Sequence, residues 1–421
     1  MNFKKLSVLA IVVLLVGAFV VGCGGGNDEP ADQGADSGEK QVTIRFAHWR
    51  GEDKEAFEKV IAKFNEEYPN IKVQQDISGS EQYRAKIQAE LQSDAGPDVF
   101  TTFPGAHFAT LQEAGVYADL SGAEFLDRFS PHLLLAGQAD GKQYAVPYQL
   151  VFNIPVYNKG LFEKAGVEPA DSWEGFLEMC QTLKDNGITP IIFDSEIGPG
   201  QFMNPMLMNN MPTDDALTRV EKGELKLTDD WFVKTLAQFK ELKDKGFMQD
   251  DVLGTRKAGA AALFAQEQGA MLAQGSYMMA SNKQQNPDIK QGLLAPITVP
   301  ADQAKYEGIH TSTFMIGINA KSEKQEAAKK FMEFLFRPEI SAMYANVTGQ
   351  MLTVNGVEYE SPELNEQAKW LEKKTLFQPR YTLTVQEVED AIVNSIKDVL
   401  GGMSPEEAAA KAQEEVERSI K

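Results

Sequence analysis

The chain has 421 residues, of which 43% are apolar and 24% charged, and its 61 acidic residues against 41 basic ones give a formal net charge of −20. That length asks for two or three domains rather than one core, and the composition is that of a soluble globular protein. The acidic balance argues against a nucleic-acid-binding face, which must be basic, and against electrostatic docking on anionic lipid; its plain meaning is solubility.

Met1 to Lys5 carries Lys4 and Lys5, and Leu6 to Val21 is almost wholly apolar. The run is shorter than the roughly 20 residues a membrane-spanning helix needs. A basic start, a short apolar centre and small residues before a break make a secretory signal over 1–22. Val20-Val21-Gly22-Cys23 resembles the bacterial lipobox, with valine where leucine is usual three positions before the cysteine. That resemblance implies cleavage before Cys23, lipidation of its thiol, and a mature chain held on the extracytoplasmic face of the cell membrane. Two acyl chains anchor stably where one does not. The alternative is a plain secreted protein with a free thiol. Residues 23–40, rich in Gly, Asp and Glu, read as a disordered tether, so folded structure is expected from Gln41.

VTIRFAHW (42–49) is a short β-like run ending in aromatics. The next segment places Phe57, Val60, Ile61, Phe64 and Tyr68 on one helical stripe. IKVQQDI is a second strand, SEQYRAKIQAELQ a second helix and PDVFTTF a third strand, after the turn signal Ala95-Gly96-Pro97. This alternation predicts an α/β unit with a largely parallel sheet. Ligands collect at the carboxyl ends of such strands, which singles out Trp49 to Asp53, Gly79 to Tyr83 and Phe103 to His107. A second α/β region begins near Pro155. It contains a helix from Ser172, with Asp171 and Glu174 spaced as a capping box, and the strand TPIIF. Cys180 shares that helix's apolar period with Trp173, Phe176, Leu177 and Leu183, and reads as a small core residue. With Cys23 beyond a flexible tract, no disulfide framework is implied. ALFAQEQGAMLAQGSY is a further helix–strand step ending in Gly275-Ser276-Tyr277. FMIGINA (314–320) is a strand. Ser322 and Gln325 are spaced as a capping box before a helix closed by Pro338, and Ser404 caps a final helix with Pro405 in its first turn.

No nucleophile elbow, P-loop, HExxH motif or metal-spaced Cys/His cluster occurs, and His48, His107, His132 and His310 are widely scattered. No cofactor and no metal is therefore expected. Aromatic and amide residues do recur at strand ends and loops: Trp49, Tyr83, Phe103, Tyr148, Phe152, Phe202, Asn204, Tyr277, His310 and Phe314. A neutral sugar needs such surroundings, because its C–H faces pack on rings and its hydroxyls need amide, carboxylate and guanidinium partners. Singly, each aromatic reads first as core; only their clustered placing carries the functional reading.

Several stretches in order resemble one family. They are RFAHWRGEDKEAFEKVIAKFNEEYPNIKV, SDAGPDVFTTF, DGKQYAVPYQLVFNIPVYNKGLFEKAGVEP, DSWEGFLEMCQTLKDNGITPIIF, ALFAQEQGAMLAQGSY and FMIGINAKSEKQEAAKKFMEFLF. From about residue 42 to the end the chain resembles the bacterial extracellular solute-binding proteins of family 1, the sugar-binding components of ABC importers. The resemblance implies a two-lobed, type II periplasmic-binding-protein-like α/β fold with a hinge and a cleft. One lobe is expected over 41–152 with 314–350, the other over 153–313 with 351–421. Crossings are expected near Tyr148–Tyr157, near His310–Phe314 and after Gly349. It further implies a carbohydrate ligand, an ABC permease as partner and a monomeric chain without catalytic activity.

The family's cleft positions carry over unevenly. Tyr277 stands where the family often has the tryptophan of a Gly-x-Trp segment, and GQFMNP offers Phe202 and Asn204. The loop after the first strand offers Trp49 and, as a hydroxyl acceptor, Asp53. Phe103 follows the third strand. Tyr148 and Phe314 sit at the hinges, where a side chain faces the cleft or packs. Tyr83 (or Gln82), His310 and Arg380 complete the set. Two other readings remain: a different solute (a glycerol-phosphate ester, a polyamine or iron), or a secreted carbohydrate-active enzyme. The first, if phosphorylated, wants an Arg/Lys cluster, whereas Arg50, Arg84 and Arg380 are spread along the chain; the second wants two carboxylates about 5–10 Å apart across a sugar site.

Overall fold

The computed structural model describes residues 41–93 and 95–420, so the expected signal segment, Cys23 and the tether lie outside the described residues. Strand β1 (Val42–His48) buries its last three residues. Helix α1 (Lys54–Glu67) buries Phe57, Val60, Ile61 and Phe64, which recur every three or four residues and so share one face. Tyr68, the end of the expected stripe, lies just past the helix and stacks on Phe64 at 4.9 Å. Then come β2 (Ile71–Ile77), α2 (Ser80–Gln92) and β3 (Val99–Thr102), with β1 parallel to both other strands. Strand β4 (Ala145–Phe152) is buried along its whole length.

After residues 153–155 the chain enters a second sheet, made by β5 (Val156–Asn158), β6 (Thr189–Ile192), β7 (Gly269–Leu272) and β8 (Gln291–Leu293) in the order β8–β5–β7–β6. It returns over residues 294–307 into the long strand β9 (Gly308–Ile318). With β10 (Met351–Leu352) this completes the first sheet, in the order β10–β4–β9–β3–β1–β2, and β11 (Thr375–Phe377) pairs with the start of β9. The expected largely parallel sheet is thus mixed. Because β9 comes back from the second sheet, it runs antiparallel to both β3 and β4 between them. Residues 308–313 pair wholly within the first sheet.

The helix boundaries follow local capping chemistry. Helix α3 (Trp173–Asp185) is capped by Ser172 rather than by Asp171: Ser172 has an extended backbone, and its Oγ accepts from Gly175 N at 3.3 Å. Helix α4 (Gly198–Leu207) opens with Pro199 near its start, and α5 (Asp230–Asp244) and α6 (Lys257–Ala265) follow. Helix α7 (Gln325–Leu335) lacks the expected capping box. Ser322 Oγ instead donates to Asp98 at 2.7 Å, and Gln325 Nε2 reaches back to Ala320 O at 2.9 Å. Pro338 opens α8 (Pro338–Thr348) rather than closing α7, its fixed φ suiting a first turn. Helix α9 (Gln386–Leu400) and α10 (Pro405–Ser419, with its Ser404–Glu407 capping box) pack on α5. Gln413 Oε1 accepts from Leu227 N at 2.7 Å, which ties the C-terminal helix to the second sheet's side of the molecule.

Candidate functional site

Where the carboxyl ends of β1, β2 and β3 face the second sheet, a cavity of about 440 Å³ opens. Its first wall is the loop after β1. His48 is fully buried, and burial pushes its imidazole down to about 4, so the ring is neutral. Its Nδ1 accepts from Arg50 N at 3.2 Å while Nε2 lies 3.0 Å from Gln75 Oε1, which fixes where the loop leaves the strand. Trp49 then turns into the cavity and stacks on Phe103, with ring centroids 3.8 Å apart and 18° between planes. The Arg84 guanidinium lies 4.0 Å from the Phe103 centroid, so cation and indole occupy opposite faces of that ring. Behind Trp49, Phe314 makes an edge contact at 5.0 Å and Tyr83 a tilted one at 5.5 Å. Phe314 adopts φ +50°, a costly backbone for an aromatic residue, held by the rings of His48, Trp49 and Phe57 around it.

Arg50 also lines the cavity. Its Nε and Nη2 take both oxygens of buried Asp53, at 2.7 and 3.1 Å, and Nη1 lies 3.5 Å from Glu52. Burial pushes the Glu52 carboxyl up, but the Arg50 guanidinium, the Glu52 backbone N–H and the Lys257 ammonium together hold the group below its ordinary value. Asp53 Oδ2 additionally accepts the Tyr344 hydroxyl at 2.5 Å.

The floor is the antiparallel pair β4 and β9. Gln149 lies opposite Thr313 and Val151 opposite Thr311, and these four with Asn153 line the cavity, because alternate strand residues share a face. The second wall comes from Ile197 and Gln201 around the start of α4, Lys257 at the start of α6, and Tyr277. Asp194 shapes this wall. Its Oδ1 accepts from the backbone N–H groups of Glu196, Ile197 and Gly198 at 2.7–3.2 Å, and Oδ2 accepts from Gln274 at 3.0 Å. Gly275 lets Tyr277 and Asn153 approach each other. A Cβ there would sit 2.7 Å from Asn153 Oδ1 and 2.7 Å from the Tyr277 ring. The Tyr277 hydroxyl is buried without a partner among the described residues, and burial raises its pKa well above the ordinary tyrosine value. Past Ser80, Phe103, Ile197, Gln201 and Tyr381 the cavity adjoins a second chamber of about 950 Å³ that Arg84 and Arg380 also line.

Of the residues the sequence points to, Trp49, Phe103 and Tyr277 line the central cavity, and Arg380 lines the adjoining chamber. The rest lie elsewhere. Asp53 has its oxygens taken by Arg50 and Tyr344, behind the wall. Tyr83 is fully buried and donates to Thr101 O at 2.7 Å. Tyr148 packs on Phe336 and Tyr344, on the face of β4 opposite Gln149. Phe202 packs between Phe193 and Phe239. Asn204 donates to Gly200 O at 2.6 Å and accepts from Arg380 N at 3.1 Å, which makes it a brace for that loop. His310 faces away toward Thr375 Oγ1, 2.9 Å distant, and Phe314 supports Trp49 from below. The residues missed, Gln149, Asn153, Gln201, Thr311 and Thr313, carry a readable signal: Gln149-Leu150-Val151-Phe152-Asn153 sets amides two residues either side of a valine, on one face of a strand.

The model of the bacterial extracellular solute-binding proteins matches residues 49–342. The chain is 24% identical over 364 residues to the multiple sugar-binding protein of Streptococcus mutans, an alignment covering 84% of each. It is 22% identical over 325 residues to the melibiose/raffinose/stachyose-binding protein MelE of Bacillus subtilis, over 75% of this chain and 74% of that one. Among solved structures, that of RafE in complex with raffinose matches with a TM-score of 0.78 at 20% identity, over 90% of this chain and all of that one. The fold is accordingly the two-lobed α/β fold of the type II periplasmic binding proteins. The chain belongs to the bacterial extracellular solute-binding proteins.

Proposed function

We propose that this chain is the substrate-binding component of an ABC importer, capturing a sugar or oligosaccharide between its two sheets and handing it to a membrane permease. One observation carries the reading: aromatic side chains enter one cavity from both walls, Trp49 and Phe103 from the first and Tyr277 from the second, above a floor of hydroxyl and amide groups. Rings pack against the C–H faces of a pyranose while amides and hydroxyls pair with its oxygens. The relatives' names agree in class, being those of sugar-binding proteins. Glu52 is the one carboxylate lining the central cavity among the described residues, an arrangement that suits binding rather than glycosidic acid–base chemistry. Hinge closure around ligand follows from tighter binding to the closed form.

The lipobox-like Val20-Val21-Gly22-Cys23 supports a lipid anchor on Cys23 that would keep the binding lobes near the permease. Cys23→Ala should move the protein from the membrane fraction into the medium; continued membrane retention would count against the anchor. The function itself is tested by a thermal-shift screen against mono- and oligosaccharides, with inorganic phosphate and spermidine as comparators, because a bound ligand stabilises by its own saturation. A sugar-dependent rise in melting temperature is expected. A response to phosphate or spermidine and to no sugar would overturn the reading.

A further inference from the structure

Two floor amides, Gln149 and Asn153, are each held from behind by a partner outside the cavity. Gln149 is buried, and its Nε2 donates to the Tyr344 hydroxyl at 2.7 Å. That hydroxyl has a single proton, and Asp53, which as a carboxylate can only accept, takes it at 2.5 Å. Tyr344 can therefore only accept from Gln149, which forces the amide nitrogen inward and leaves Oε1 without a partner among the described residues. Asp53 is itself clamped by two bonds from Arg50, so the chain of donors begins at a fixed charge. Asn153 repeats the arrangement four residues on. Its Nδ2 donates to Gln378 Oε1 and Gln378 Nε2 faces Gln201 Oε1 at 3.5 Å, but Asn153 Oδ1 is shut off beside Gly275 and Tyr277, without a partner among the described residues, so only Gln149 offers its oxygen to the cavity.

We infer that the cavity floor presents a fixed carbonyl acceptor, Gln149 Oε1, and that it selects ligands offering a hydrogen-bond donor to it. Tyr344 and Asp53 are positioning residues that set this polarity. The inference rests on the sugar-binding reading and narrows it. A neutral ligand with a hydroxyl directed at Gln149 Oε1 fits the floor. A sulfate or carboxylate group, which brings only acceptors, would face the Gln149 carbonyl oxygen and leave it unpaired, and phosphate, with its one or two P–OH groups, would bring to it a charge that a carbonyl does not offset. The first wall's Arg50 and the second wall's Lys257 then donate to the ligand's remaining oxygen lone pairs.

Two measurements test it. Raffinose, stachyose and diacetylchitobiose, with inorganic phosphate as comparator, are titrated calorimetrically into wild type, and monodeoxy congeners of the tightest-binding sugar follow. One congener should bind at least tenfold more weakly than its parent. Gln149→Met should bind parent and congener equally, and Tyr344→Phe, which frees the amide to rotate, should cut the discrimination below threefold. Uniform weakening of every congener in Tyr344→Phe would mean a structural role only and overturn the inference, as would phosphate binding more tightly than all three sugars. The second measurement needs no ligand: the Gln149 side-chain amide protons should be protected from exchange in wild type and lose protection in Tyr344→Phe. Unprotected protons in wild type overturn the fixed polarity whether or not a sugar binds. Protected protons in a protein that binds none of the three sugars would uphold it and place the failure in the sugar reading.

Discussion

The two walls of the cavity are built differently. On the first, Trp49 lies in a stack of three planar groups with Phe103 and Arg84, and Arg50, Asp53 and Tyr344 form one continuous chain of hydrogen bonds that reaches the floor at Gln149. On the second, the Tyr277 hydroxyl has no partner among the described residues, and the Lys257 ammonium stands 5.9 Å from the centre of its ring. A group already bonded within the protein is preorganised, whereas on the second wall the Tyr277 ring and the Lys257 ammonium line the cavity with no hydrogen bond between them. The first wall therefore reads as the template and the second as the side that brings one ring and one ammonium group to what lies between them.

The largest effect expected from this contrast is on stability. Arg50→Ala leaves buried Asp53 without its counter-charge and should lower unfolding free energy by about 3–5 kcal/mol, whereas Lys257→Ala should change it by no more than about 0.5 kcal/mol. Urea denaturation of the two variants checks this, and equal losses would erase the distinction between the walls.

Acid should act on the first wall next. The His48 imidazole is pushed down to about 4 by burial, and that of His107, which accepts from Phe103 N at 3.2 Å, to about 3. Between the ordinary histidine value near 6.5 and these depressed values the unfolded chain binds more protons than the folded one, so stability rises with pH across that window. The contribution is whole above about 6.5 and is lost as pH falls, on the order of 3–5 kcal/mol per buried ring. His48→Gln should flatten the pH dependence of the urea midpoint between pH 4 and 6.5; an unchanged slope would mean that His48 is not held neutral.

Smaller effects belong to the second wall. Tyr277→Ala should weaken sugar binding by about 1–3 kcal/mol if the ring stacks in a desolvated site, measured by calorimetry on variants whose circular dichroism is unchanged. Tyr277→Phe removes only the unpartnered hydroxyl, so the unliganded protein should hold its stability or gain up to about 1 kcal/mol. A clear loss of stability would show that the hydroxyl already has a partner.

The elements that bury a periodic apolar face, such as α1 and α3, were legible in the sequence, as was the rule that ligand-facing residues follow the parallel strands, which leads to Trp49 and Phe103. The floor was harder for a geometric reason. Tyr148, Phe314 and His310 each neighbour a cavity-lining residue, namely Gln149, Thr313 and Thr311, and in a strand one step along the chain is a turn to the opposite face. Phe202 and Gln201 show the same one-residue offset on α4, where adjacent positions diverge by about 100°. An aromatic attracts attention because it suits a sugar, yet a fully buried aromatic suits a core better. In β4 and β9 the rings face inward and the amides and hydroxyls face the cavity. Asp53 leaves the cavity for a partly local reason: Arg50, three positions before it, takes both its oxygens, and only the Tyr344 bond, from 291 positions away, lies beyond any local pattern.

The most direct test of the central claim, that a sugar is held between the first wall and Tyr277, is a calorimetric titration of raffinose, stachyose and diacetylchitobiose into wild type and Trp49→Ala. Saturable binding of at least one sugar by wild type, weakened at least tenfold in a folded Trp49→Ala variant, is the result predicted. Equal affinity in the two proteins, or no heat with any sugar while phosphate or spermidine binds, would contradict it.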